Sequence, residues 1–227
     1  MNTRPNLVNF CLDATKMPYI KNTIDKKEHE LAVVNLLLKH GYKQVHYFPT
    51  KDGKISKKNF NVALKNGQSI LNENTFIHTP FGESSYPDIL LDDDGLMIPI
   101  ECKSSTSTKG GFGTHHYNNT LPEGHSLYIL SYKNKGTLIA WGCHLMPPND
   151  VETIKNIKNA IKSHIPKMND YTLNFRLMVS HKKSNIIFDG IYRKLWLTEI
   201  IETYNGGKIS SDRVHDAINH GVFGIEE

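Results

Sequence analysis

Two carboxylates and a lysine in the middle of the chain have the types and spacing for chemistry on a phosphate. Asp88 follows Pro87 and leads into the apolar run Ile89–Leu91. Asp94-Gly95 then separates that run from a second one, Leu96–Ile100, which ends on Glu101-Cys102-Lys103. An Asp-Gly pair between two apolar runs is a strong hairpin signal. A two-residue loop at Asp94-Gly95 sets the register by counting: Asp93 opposes Leu96, Leu91 opposes Ile98, Ile89 opposes Ile100, and Asp88 opposes Glu101. Directly opposed residues have Cβ atoms roughly 4.5–5.5 Å apart, so the turn brings two carboxylates side by side. Strand side chains alternate, which puts Lys103 on the face of Glu101 and sends Ile98, Ile100 and Cys102 the other way.

Opposed like charges destabilise a sheet, so this face calls for a cation. Lys103 supplies part of it. A divalent ion does so better, and two hard carboxylates with room for water and a phosphate describe a Mg²⁺ site held by Asp88 and Glu101. A plainer reading stays open, in which Asp88 caps the start of a strand and Glu101 and Lys103 form a solvated polar face. Pro99 removes one ladder donor and predicts an edge or bulge at that point.

Pro87-Asp88 followed by Glu101-Cys102-Lys103 resembles the PD-(D/E)xK nuclease superfamily in order, separation and the hairpin between the halves. The surroundings resemble type II restriction endonucleases: TPFGESSYPD from Thr79 to Asp88 ahead of the site, and YNNTLP from Tyr117 to Pro122 behind it. The likeness covers about the middle fifth of the chain.

The 227 residues fit a single domain spanning 1–227, with 38% hydrophobic and 22% charged residues, as in a soluble globular protein. The net charge of +4 is mildly basic and compatible with nucleic acid. Three cysteines, Cys11, Cys102 and Cys143, show no CxxC spacing, which argues against a disulfide framework or a cysteine zinc site. The expected location is the cytoplasm: reduced thiols, no signal pattern at the N-terminus, and no apolar run near the roughly 20 residues a membrane span needs.

Around the hairpin, the sequence predicts an irregular arm over 1–24 and a helix from Ile24 to His40, capped by Asp25, stopped by Gly41 and striped by Leu31, Val34, Leu37 and Leu38. A short strand follows over Gln44–Pro49, then a basic loop over Lys51–Lys58 and a helix over Phe60–Leu71. Ser126–Tyr132 and Thr137–Leu145 read as strands joined by a turn at Lys133–Gly136. Asn149–His164 reads as a helix, Tyr171–Ser180 as a strand and Ile191–Tyr204 as a helix. Helices around a mixed set of strands make an α/β three-layer pattern.

Several other residues are candidates for the site. Glu30, at the border of the first helix's stripe, is either a third acidic metal ligand or a solvated helix-start carboxylate favoured by the macrodipole. The glycine-rich loop from Lys109, with Gly110, Gly111 and Gly113, either approaches DNA at the mouth of the site or simply connects two elements. Asn118 and Asn119 carry amides suited to adenine edges or phosphates. Arg176, Lys182 and Lys183 cluster at a strand end, a favoured place for recognition. With Ser104, beside Lys103, these are the expected DNA contacts. Lys155, Lys158 and Lys162 share one helix face, which reads first as a solvated face.

The resemblance implies a restriction-endonuclease-like core, a mixed central β-sheet flanked by helices. It implies a Mg²⁺-dependent type II restriction endonuclease of a restriction-modification system that cuts double-stranded DNA at a short specific sequence. Asp88, Glu101 and Lys103 would be catalytic, and a homodimer suits a palindromic site. The alternatives are a repair or resolvase-type nuclease of the same fold, and a catalytically silent DNA-binding module.

Overall fold

The computed structural model describes residues 7–21, 27–66, 68–83, 85–105, 126–133, 136–145 and 148–164. Its centre is a six-stranded mixed sheet whose strands lie in chain order: β1 (Lys43–Gln44), β2 (Thr75–His78), β3 (Ile89–Asp93), β4 (Leu96–Ser105), β5 (Leu127–Tyr132) and β6 (Gly136–Trp141). The β1–β2 and β4–β5 pairs are parallel and the other pairs antiparallel. Among the described residues, four helices accompany it: α1 (Leu7–Ala14), α2 (Glu28–Lys39), α3 (Lys57–Lys65) and α4 (Pro148–His164). The class is α/β.

The β3–β4 hairpin has the register that counting from Asp94-Gly95 gives. Asp93 pairs with Leu96, Leu91 with Ile98, and Ile89 with Ile100. Both loop residues have positive φ, 55° at Asp94 and 87° at Gly95, as a two-residue hairpin loop of the right twist requires. Pro99 pairs with Leu90 on β3, while pairing with β5 starts only at Ile100. The proline therefore sits just before the parallel ladder begins, where β4 still has a free side.

Alternation divides the sheet into two apolar faces. Ile89, Leu91, Ile98, Ile100, Cys102, Leu127, Ile129, Ile139 and Trp141 pack against α1 and α2. Leu90, Met97 and Ile77 face the opposite way, against Phe60, Ala63 and Leu64 of α3. Helices thus cover both faces, and Asp88, Glu101 and Lys103 fall by alternation on the α3 side.

Five local expectations need correction. The N-terminal arm contains α1, which buries Leu7, Phe10, Cys11 and Ala14, a helical i, i+3, i+4, i+7 stripe. The next helix runs over Glu28–Lys39, and its buried face is Glu30, Val33, Val34 and Leu37. Leu31 and Leu38, expected in the stripe, are 48% and 44% exposed. Gly41 follows the end of this helix with φ 90° as predicted, but the N-cap is Lys27, with no side-chain cap, and not Asp25, which lies outside the described residues. The strand expected over Gln44–Pro49 is the two-residue Lys43–Gln44, and the helix expected over Phe60–Leu71 runs instead over Lys57–Lys65, where Ser56 accepts the Asn59 N–H as its N-cap. Finally, β6 stops at Trp141 and turns into a 3-10 helix over Gly142–Leu145. The helix expected over Asn149–His164 is α4, and the two elements expected beyond residue 170 lie outside the described residues. Among the described residues, no helix is long and apolar enough to cross a membrane.

Candidate active site

The site is built where the start of β3 meets the second half of β4. One step beyond the Ile89–Ile100 pair, continuing the register puts Asp88 opposite Glu101. Asp88 Oδ2 accepts the backbone N–H of Cys102 at 2.8 Å, which holds the carboxylate against β4. On the outer side, the N–H of Thr79 donates to the Asp88 carbonyl at 2.7 Å and continues the β2–β3 ladder. Asp88 is therefore fixed from both neighbouring strands. Glu101 and Lys103 follow on β4, which is clamped between β3 and β5.

Lys103 Nζ lies 2.5 Å from Glu101 Oε2 and 3.6 Å from Asp88 Oδ2. The three side chains thus meet on one face, as the sequence spacing requires. The solvated polar face is not what forms: Glu101 is 2% exposed and Asp88 is also buried. Burial pushes the Glu101 carboxyl up to about 7; Lys103 opposes the shift and Asp88 adds to it. Burial alone would depress Lys103, but the Glu101 and Asp88 carboxylates outweigh it and raise its pKa above the ordinary lysine range. Lys103 is a firmly held cation in this arrangement.

Glu101 Oε1 is buried and has no hydrogen-bond partner. A buried carboxylate oxygen left in this state costs free energy unless something electropositive meets it. Mg²⁺ fits that need: Asp88 and Glu101 offer hard oxygens, and this ion keeps several waters or phosphate oxygens around a small number of carboxylates. Among the described residues, no three His, Cys, Asp or Glu side chains gather around one point as a metal cage. An ion here would rest on those two carboxylates.

Glu30 occupies a third position that neither sequence reading describes. It is 4% exposed, so it is not a solvated helix start. Its Oε2 lies 3.2 Å from Lys27 Nζ and 3.4 Å from His78 Nε2. Burial works against its charge, but these two partners outweigh it and hold the carboxyl below its ordinary value. The helix bearing Glu30 packs on the Cys102 face of the sheet, opposite the Glu101 face. His29, beside it, is fully buried; burial presses its pKa down to about 4, with Glu30 opposing and Lys103 adding to the shift.

Sequence reasoning passed over His78 and Lys27. The only signal for either was position: His78 lies ten residues before Asp88, at the end of the strand that pairs with β3. Of the expected DNA contacts, Ser104 is half-buried on β4 opposite Ser131 of β5. Lys109, Asn118, Asn119, Arg176, Lys182 and Lys183 lie outside the described residues. Lys155 is exposed on α4.

No family model matches this chain, and no curated protein or solved structure matches it either.

Proposed function

We propose that this protein is a Mg²⁺-dependent endonuclease that hydrolyses phosphodiester bonds in double-stranded DNA at a short specific sequence, in the manner of type II restriction endonucleases. The observation that carries the reading is the convergence of Asp88, Glu101 and Lys103 on one buried sheet face, with one Glu101 oxygen left without a partner. On this reading the α/β sheet is a restriction-endonuclease-like core, the enzyme works in the cytoplasm, and two copies act as a homodimer on a two-fold symmetric site.

Asp88 and Glu101 would hold the ion, which supplies Lewis acidity toward the phosphate and a more acidic water. The chain's own residues do the rest. The Cys102 N–H fixes the Asp88 carboxylate, and the β4 ladder fixes Glu101 and Lys103. Lys103 keeps its proton and stabilises negative charge on the nonbridging phosphate oxygen as the pentavalent state develops. Of the two roles open to this lysine, the raised pKa favours charge stabilisation over proton abstraction.

A second reading rests on the same lysine. Lys103 already pairs with both carboxylates and offsets part of their charge, as it would in a DNA-binding module without chemistry. Incubation with phage-sized DNA and Mg²⁺ separates the readings. Discrete fragments support the restriction enzyme, a smear points to a nuclease of repair or resolvase type, and intact DNA leaves the binding module.

A further inference from the structure

Beside the carboxylate site, the chain between β1 and α3 and the end of β2 enclose a cleft of about 530 Å³. Phe48, Ile55 and Ile77 give it apolar walls, and His46, Lys54 and His78 give it nitrogen-bearing ones. Its lining reaches the backbone next to Asp88. Thr79 lines the cleft and donates its N–H to the Asp88 carbonyl, and His78 contacts Glu30.

Tyr47 stands in this cleft and is 75% exposed, an unusual state among the aromatic rings of the described residues. It is a positioned ring. Gly53 lies under it, and a Cβ on Gly53 would come within 3.2 Å of the Tyr47 Cβ and 3.4 Å of its ring. Gly53 also has φ 68°, which glycine adopts without strain, and its carbonyl accepts the Phe48 N–H at 3.1 Å. Asp52, the one carboxylate of this loop, is turned back on it: Oδ1 accepts from the Thr50 hydroxyl and the Lys54 N–H. Lys51 and Lys54 of the loop and Lys57 and Lys58 at the start of α3 are exposed and leave this surface basic.

A ring exposed on one side, apolar walls and flanking cations together suit a nucleotide, which is flat and apolar in its base and anionic in its phosphate. A cleft of about 530 Å³ lies within the range of pockets that take one small ligand, which matches a single nucleotide rather than a duplex. We propose that the cleft seats one unpaired nucleotide of the DNA strand next to the cleavage position, with the base stacked on Tyr47 and its phosphate facing Lys54 and His46. The inference rests on the nuclease reading for its substrate. It adds that the enzyme opens or distorts the duplex beside the bond it cuts.

The test is binding of a labelled single-stranded oligonucleotide in EDTA, where cleavage plays no part. Tyr47→Ala is expected to weaken affinity about ten-fold, while Tyr47→Phe, which keeps the ring, stays near the parent. Lys54→Ala lowers the salt slope by about one unit. In Tyr47→Trp, the added indole emission is quenched by the oligonucleotide and not by inorganic polyphosphate. Circular dichroism checks each variant's fold. Parent-like affinity in Tyr47→Ala, or equal quenching by polyphosphate, overturns the cleft assignment. If either occurs while the parent protein still cuts DNA with Mg²⁺, the nuclease reading stands alone. Oligonucleotide quenching in a protein that cuts nothing with any divalent ion leaves the nucleotide site and removes the nuclease.

Discussion

The Asp88 carboxylate accepts the backbone N–H of Cys102 at 2.8 Å, so the first acid of the site is anchored to the strand that carries the second. The bond crosses from the start of β3 to β4 at the position where the two carboxylates oppose each other. It uses one Asp88 oxygen as a structural acceptor and leaves the group's charge beside Lys103. Asp88 therefore has two separable roles, one in the fold and one at the site.

Replacing Asp88 in two ways separates them. Asp88→Asn keeps a carbonyl oxygen for the Cys102 N–H and removes the charge. It should lose at least about 100-fold in cleavage, on the scale of lost metal and electrostatic stabilisation, with stability little changed. Asp88→Ala loses the acceptor as well and leaves a buried amide unpaired, a cost of about 1–3 kcal/mol in urea unfolding. Equal stabilities for the two variants would remove the structural role. Full cleavage by Asp88→Asn would remove the chemical one.

Lys103→Ala takes the cation away from two buried carboxylates. The metal-free protein should lose about 3–5 kcal/mol, the usual cost of breaking a buried ion pair from one side. Mg²⁺ should then stabilise this variant more than it stabilises the parent, because it meets two uncompensated acids. Thermal melting with and without Mg²⁺ reads this directly. The variant should retard its cognate duplex and fail to cut it, since the lysine's contact strengthens only as charge develops. A Mg²⁺ shift no larger than the parent's would place the ion elsewhere.

What could be read in the sequence was local. The hairpin register followed from the Asp94-Gly95 loop and strict alternation, because a two-residue loop fixes every pair that follows. The meeting of Asp88, Glu101 and Lys103 came with it. The first helix's buried face did not. Apolar periodicity favoured Leu31 and Leu38, yet Glu30 and Val33 point inward. Glu30 tolerates burial because His78, 48 residues away, and Lys27 meet its charge. Tyr42 likewise donates its hydroxyl to buried Asp93 across 51 residues. Partners that distant leave no periodic signal. Helix α1 did leave one, in Leu7, Phe10, Cys11 and Ala14, but the asparagine and proline around it read as an irregular arm.

Glu30→Gln tests the group that neither reading placed. Its carboxylate is occupied by Lys27 and His78, on the face opposite Glu101. The expected result is an unchanged Mg²⁺ titration of cleavage, with stability lowered by about 1–3 kcal/mol as charge-assisted hydrogen bonds weaken. A strongly raised Mg²⁺ requirement at unchanged stability would make Glu30 a ligand after all.

The buried groups also predict opposite pH effects in the metal-free protein. Glu101 has its folded pKa raised to about 7 from 4.5. Its folded state holds the proton more tightly, so its contribution is most favourable below pH 4.5 and is lost as pH rises through 7. His29 has its folded pKa lowered to about 4 from 6.5. Its contribution is present above pH 6.5 and is lost as pH falls through 4. Glu101→Gln should therefore match the parent in its pH slope below pH 4.5 and gain on it between pH 4.5 and 7, by an amount on the order of 3 kcal/mol. His29→Leu should show the reverse, gaining on the parent as pH falls from 6.5 to 4, whatever constant offset the lost ring contacts impose. Urea unfolding in EDTA at several pH values across 4–8 measures both differences. A Glu101→Gln difference that stays flat through pH 7 would mean that Lys103 keeps this carboxylate fully charged in the fold, and that its burial costs nothing that a metal would have to relieve.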